Sequence, residues 1–141
     1  MLAKIVTTEE LRQRYLEDAI ATATPAVRLT MLFDRMVLDL RRADEGFDSS
    51  DWKLVNDNLV HVQEILLALR DTLRTDTWGA GSDVAKLYTF LHAELLAANI
   101  GKERERARKA AEMIEQLAEA WRRAAENVAT EAGPGVVGGV A

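Results

Sequence analysis

The sequence predicts an all-α protein: an antiparallel four-helix bundle, preceded by a short amino-terminal helix and followed by a disordered carboxy-terminal tail. Three observations support this prediction. Apolar residues recur every three or four positions along most of the chain, which is the period of an amphipathic helix. No segment sustains the alternating β-branched and aromatic pattern that is typical of strands. Proline occurs only at Pro25 and Pro134, and glycine falls where the helical segments are expected to end.

Two local signals delimit the amino-terminal helix, which is predicted over about residues 8–21. Thr7 and Glu10 have the spacing of a capping box, in which each side chain accepts a hydrogen bond from the backbone N–H of the other residue. The helix is expected to end before Thr24 and Pro25. Thr24 can cap the next helix, and Pro25 then occupies the first turn, where a missing N–H costs nothing.

The next two helices are predicted over about residues 25–45 and 51–74. Gly46 is expected to end the first of them. Ser49 or Ser50 is expected to cap the second, because a serine side chain can accept a hydrogen bond from the first turn. The apolar residues of this second segment step by three and four, so one face of it should be buried.

The last two helices are predicted over about residues 83–99 and 102–127. Ser82 is a candidate cap for the former. Asn99 and Gly101 are expected to end it, since both residue types accept a left-handed backbone. Short connections of this kind join antiparallel neighbours in helical bundles.

Length and composition narrow the class of protein. A chain of 141 residues suits one domain, which we expect to occupy residues 1–127, with residues 128–141 as a disordered tail rich in Gly and Val. No apolar run is long enough to span a membrane. With no Cys and no signal peptide, a cytoplasmic protein is expected. The formal charge of −5 argues against nucleic acid as the main partner.

No enzymatic constellation is evident. The chain has two histidines, and His61 with Glu64 makes a single H-x-x-E. A carboxylate-bridged dimetal bundle needs two E-x-x-H turns and two further Glu. There is no Gly-rich phosphate loop and no nucleophile elbow. We therefore expect no catalytic residue, no metal ion and no cofactor.

Apolar residues exceed what one buried stripe requires. Nine of the fourteen residues in 27–40 are apolar, whereas a surface helix needs a stripe about 100° wide. Central helices of a bundle are buried on several sides, which accounts for part of the excess. The rest indicates a second apolar surface that accepts an amphipathic helix of a partner. An unrelated helical adaptor, or a bundle that hides this surface in a homodimer, stays open as an alternative.

Four blocks of residues in this chain resemble signatures of the flagellar secretion chaperone family (FliS), and together they cover roughly residues 10 to 125. Any one block is weak evidence, but their common order and spacing are specific. The blocks are Y…TATP…MLFD from Tyr15, NDNLV…QEIL from Asn56, LYTF…LLAAN from Leu87, and Trp121-Arg122.

The resemblance implies a cytoplasmic four-helix-bundle chaperone that needs no nucleotide or metal and is not an enzyme. Such a chaperone binds the carboxy-terminal segment of new flagellin as helices in an apolar groove, prevents early polymerisation and assists flagellar type III export. A segment that is disordered until bound would bury its apolar face there, at an ordering cost of several kcal/mol. The resemblance leaves room for a second partner, either an export-gate component or a regulator of flagellin level.

Ten residues are candidates for binding the partner. By the resemblance Tyr15 is a lid over the groove, with an ordinary core contact as the alternative. Tyr88 and Asn99 match the LY…AN signature; alternatively, Tyr88 packs internally and Asn99 ends its helix. Asn56 and Asn58 are expected to contact the partner backbone or only solvent. The groove floor is assigned to five apolar residues, each with a core alternative: Leu59, Val62, Leu66, Leu91 and Leu95.

Overall fold

The structure is a computed structural model that describes residues 7–12, 14, 25–73 and 79–136, with side chains described as far as Asn127. It contains four long helices: α1 (Pro25–Ser49), α2 (Trp52–Asp71), α3 (Gly81–Gly101) and α4 (Arg104–Val136). Residues 8–12 and 14 are also helical, and no strand occurs among the described residues. The predicted all-α class is confirmed.

The chain divides into two compact units. One contains Leu32–Ala120, and the other contains Met1–Met31 and Trp121–Ala141. The single bundle domain expected over residues 1–127 stays a prediction.

In the unit that contains the chain ends, the predicted capping box is present. The Glu10 N–H donates to Thr7 Oγ1, and the Thr7 N–H donates to Glu10 Oε2, both at 3.1 Å. The rest of the predicted first helix, including Tyr15, and the candidate cap Thr24 lie outside the described residues.

In the unit Leu32–Ala120, side-chain contacts show that neighbouring helices run antiparallel. Asn56, near the start of α2, is hydrogen-bonded to Asn99, near the end of α3. Asp44, near the end of α1, is hydrogen-bonded to Arg104 at the start of α4. The two helices α2 and α3 pack closely together. The core consists of side chains that are almost fully buried: Phe33, Met36, Val55, Leu59, Val62, Leu66, Tyr88, Leu91, Leu95 and Ile114.

The turn between α1 and α2 differs from the prediction. Gly46 does not end α1 but lies buried within it, and the helix continues to Ser49. Ser50 adopts the left-handed backbone (φ 53°), and the Asp51 N–H donates to the Gly46 carbonyl at 2.9 Å. Asp51, not Ser49 or Ser50, caps α2 by accepting from the Leu54 N–H. This geometry is a Schellman motif. Ser50 takes the left-handed conformation that reverses the chain, so the next residue, Asp51, is the one that caps α2.

The same geometry ends α3. Lys102, and not the expected Asn99 or Gly101, takes the left-handed backbone (φ 53°), and the Glu103 N–H donates to the Ala98 carbonyl at 2.9 Å. The helix can therefore continue two residues further than Asn99 before it reverses.

The start of α3 and the end of α4 also differ from the predicted positions. At the start of α3, Ala80 and not Ser82 occupies the cap position, and it makes no side-chain hydrogen bond. The final helix, α4, continues to Val136 instead of ending near Asn127. Ala129, Glu131 and Ala132 favour this extension, whereas the helix over Gly133, Pro134 and Gly135 has no explanation in residue preference. The predicted disorder of the tail stays a prediction for residues 137–141, which lie outside the described part.

Gly46 is required by a close approach of α2 to α1. A Cβ at this position would lie 2.8 Å from Val55 Cγ2 and 3.2 Å from the Asp51 carbonyl oxygen. Val55 is buried and its branched side chain is stiff, so it cannot move aside easily. We expect Gly46→Ala to lower the free energy of unfolding by about 1–2 kcal/mol, because the overlap outweighs the better helix propensity of Ala.

Urea unfolding followed by circular dichroism measures this change, with Gly79→Ala as a matched control. A Cβ at Gly79 would meet nothing within 4 Å, so that variant should be neutral or slightly more stable than the wild type. Equal stability of the two variants would show that the close approach of Val55 to position 46 does not require glycine there.

None of the helices in the described residues is long and apolar enough to cross a membrane.

Candidate partner-binding surface

The five residues expected to form a groove floor lie in the core instead. Leu59, Val62, Leu66, Leu91 and Leu95 are each 0% exposed. No partner can touch them unless the helices separate. Their assignment to a groove is therefore wrong for the folded chain, and the core alternative describes them.

Tyr88 is also buried, and its ring packs against Phe33 with centroids 6.4 Å apart. This contact joins α3 to α1, which fits the internal alternative for this residue. Tyr15, the expected lid, lies outside the described residues.

The three asparagines differ in position. Asn99 Nδ2 donates to Asn56 Oδ1 at 2.9 Å, so these two side chains lie together where α2 begins and α3 ends. Asn58 instead donates to the Leu54 carbonyl of its own helix at 2.8 Å. Asn56 and Asn99 share a small surface depression with Trp52, Val55, Ile100 and Lys102. We call these six residues the end notch.

Large apolar side chains line the outward side of α3. Phe90 is 50% exposed, Leu96 42% and Ile100 74%, and Ala93 and Ala97 lie between them on the same side of the helix. We call these five residues the α3 face. It is opposite the side formed by the buried residues of α3, so this helix presents apolar side chains both inward and outward.

The composition of α3 explains its second apolar side. Among its 21 residues only Asp83, Lys86 and Glu94 carry a full charge. The apolar excess of the sequence predicted a second apolar surface, but it could not show which side chains form it.

The α3 face continues into the end notch through Ile100. Trp52, which is partly exposed, packs edge-on against Phe47 with ring centroids 5.8 Å apart. The Lys102 ammonium lies 5.2 Å from the centroid of the Trp52 ring. The two surfaces together offer apolar side chains beside two amides and one cation, an arrangement suited to an amphipathic segment of another protein.

An ion-pair cluster joins the end of α1 to the start of α4. Arg104 Nε donates to Asp44 Oδ1 at 3.0 Å, and Arg108 Nε donates to the same atom at 2.9 Å. Arg104 also pairs with Asp48 at 2.6 Å. The hydrogen bonds from Arg104 and then Arg108 lower the pKa of Asp44 from its ordinary value of 3.8 to about 2.

This pKa makes part of the stability depend on pH. Because the pKa of Asp44 is lowered by folding, its contribution is fully present above about pH 4 and is lost as pH falls towards 2. Since 38% of the Asp44 side chain is exposed, solvent screening limits the contribution to about 1 kcal/mol. We expect Asp44→Asn to be less stable than the wild type by this amount at pH 7 and equally stable near pH 2. Urea unfolding at a series of pH values measures the difference, and a constant gap down to pH 2 would contradict the prediction.

A second polar contact joins α1 to α2. Asp39, which is 1% exposed, accepts from Arg35 Nε at 3.0 Å and is hydrogen-bonded to His61 Nδ1 through its other oxygen. The carboxylate thus has one partner on its own helix and one on the next.

In the described part of the chain, no group of three or more His, Asp or Glu side chains could hold a metal ion. The described residues instead provide the exposed apolar side chains of the α3 face beside the amides and the cation of the end notch.

Comparisons with known proteins agree with this description. A family model described as "Flagellar protein FliS" matches residues 7–128. The flagellar secretion chaperone FliS of Bacillus subtilis (strain 168) is 24% identical over 113 residues, which make up 80% of this chain and 84% of that relative. A crystal structure of a flagellar chaperone from bacteria has the same fold, with a TM-score of 0.67 and 19% identity over 86% of this chain and 99% of that chain.

Proposed function

We propose that this chain, which belongs to the FliS family of flagellar proteins, is a flagellar secretion chaperone that binds the carboxy-terminal segment of flagellin. The family match over most of the chain supports the role of chaperone. In this proposal, the bound flagellin is kept from polymerising in the cytoplasm and is passed to the flagellar export apparatus.

The α3 face is the observation that carries the proposal. Its three large side chains, Phe90, Leu96 and Ile100, are held outward by a rigid helix whose other side is core. Covering the exposed part of each would contribute about 1 kcal/mol, and an amphipathic helix of flagellin can cover all three through residues spaced by three and four. The Asn56 and Asn99 amides of the end notch can then bind backbone groups where that helix begins or ends.

Calorimetric titration with a peptide of the carboxy-terminal segment of flagellin from the same organism tests the proposal. We expect one-to-one binding with a large negative change in heat capacity, the signature of buried apolar surface and coupled folding. Leu96→Glu should weaken this binding about tenfold or more without loss of helicity, because it places a charge in the centre of the α3 face.

Leu38→Glu provides a matched control, since Leu38 is a similarly exposed leucine on α1. Equal weakening by both variants would show that the α3 face is not the site. Absence of binding by wild-type monomer would refute the proposed function. Binding that appears only on dilution, as the protein changes from dimer to monomer, would show that the same surface also joins two copies of the chain.

A further inference from the structure

A second groove lies between α1 and α4, away from the α3 face. It has a volume of about 430 Å³, and no residue of the α3 face lines it. Its floor is apolar and consists of Leu40, Ala43, Phe47, Ala107 and Ala111. We call it the α1–α4 groove.

The groove is open because the side chains that face it from α4 are small. Ala107 and Ala111 stand one turn apart on α4, and Ala43 faces them from α1. Three methyl groups cannot fill the space between two helices, whereas Leu-sized residues at the same positions would. Large apolar side chains of a partner can enter this space.

The rim of the groove is acidic. Glu45, Glu112 and Glu115 line it, and none of the three forms an ion pair with another described residue. Arg108, which also lines it, is bound to Asp44 and Glu105 instead of Glu112. The remaining basic residue of the rim is Arg41, so three carboxylates face one free guanidinium.

We propose that the α1–α4 groove binds an amphipathic helix of a second protein, one that places large apolar residues on one face and Lys or Arg on both flanks. The unpaired carboxylates attract the basic residues on the flanks of the partner helix. The space left by the small alanine side chains of the floor accommodates its large apolar residues. The α4 part of the groove, residues 107–115, extends about 12 Å, which accommodates about two turns of the incoming helix. The inference does not depend on flagellin binding, because the groove and the α3 face share no residue.

A pair of fluorescent synthetic helices tests the inference with the full chain. Both peptides carry the same face of leucines; one has Lys on its flanks and the other has Glu. We expect the Lys peptide to bind with one-to-one stoichiometry in fluorescence anisotropy, at least tenfold more tightly than the Glu peptide, and to weaken as salt is added.

Variants locate the binding. The double change Glu112→Lys and Glu115→Lys should weaken the Lys peptide at least tenfold. The matched control, Glu64→Lys with Asp83→Lys, makes the same change of net charge at exposed residues that do not line the groove, and it should have little effect. Equal weakening by the two double variants would overturn the proposal, since it would indicate attraction to the net charge alone.

Ala111→Phe tests the floor without changing the charge. It should fill the groove and weaken the Lys peptide while circular dichroism shows unchanged helicity. Binding as tight as that of the wild type by this folded variant would overturn the proposal. So would stoichiometric displacement of the Lys peptide by the flagellin peptide, because the groove would then be part of the flagellin site rather than a separate one.

Discussion

Replacing Leu95 by Glu is expected to unfold the bundle, whereas the same change at the neighbouring Leu96 is expected to leave it folded. Leu95 is 0% exposed and Leu96 is 42% exposed. At position 95 the change removes core packing worth about 2–5 kcal/mol and buries a carboxylate with no partner, which costs several kcal/mol more. The sum is comparable with the entire stability of a domain of this size, about 5–15 kcal/mol.

The two leucines are adjacent and chemically identical, so they form a matched pair. Circular dichroism should show loss of helix for Leu95→Glu and a native spectrum for Leu96→Glu. The milder changes keep the comparison quantitative: Leu95→Ala should lower the free energy of unfolding in urea by about 2–5 kcal/mol, and Leu96→Ala by well under half of that. Equal losses at the two positions would contradict the assignment of inward and outward sides of α3.

Leu95 and Leu96 also show what could not be predicted from the sequence. Periodicity correctly predicted the helical class, and it placed the bounds of α1, α2 and α3 to within a few residues, whereas α4 extends nine residues beyond its predicted end. In α3, however, apolar residues occur on all sides, so no stripe distinguishes Leu95 in the core from Leu96 on the surface. Burial is decided by the helices that pack against α3, and this information is not local.

The turns illustrate a second limit. The capping box of Thr7 and Glu10 could be predicted because it involves only residues three apart, and it is present. Gly46 was expected to end a helix, yet it lies within α1, where its lack of a side chain leaves room for Val55 of the next helix. Ser50 was a candidate cap, but the chain uses it for the left-handed reversal. In both cases a contact between helices, or the need to reverse the chain, overrides the residue preference.

Binding of a partner stays a prediction, and the apolar residues that the structure exposes are not the ones that the sequence selected. The apolar excess indicated a binding surface, and Asn56 and Asn99 do lie together. The exposed residues of the α3 face, Phe90 and Ile100 among them, were not selected, because the sequence could not separate core from surface. Only the small number of charged residues along α3 could have indicated that its outward side is apolar.

Removing both partners of Asp39 is expected to be among the most destabilising changes that can be made at polar residues of the bundle. In the double variant Arg35→Ala and His61→Ala, a carboxylate that is 1% exposed would lose its cation on α1 and its hydrogen bond to α2. The surface depression beside it also contains Asp57 and Glu64, whose charges would not compensate the Asp39 carboxylate. An uncompensated buried charge typically costs about 3–5 kcal/mol.

Rescue by a third change distinguishes a buried-charge effect from simple loss of packing. Arg35 and His61 are both partly exposed, so their own truncation should cost little once the charge is gone. Adding Asp39→Leu, which has a similar shape and no charge, should therefore restore most of the lost stability in urea unfolding at neutral pH. If the triple variant were as unstable as the double variant, Arg35 and His61 would stabilise the bundle through their packing, and Asp39 would tolerate burial without them.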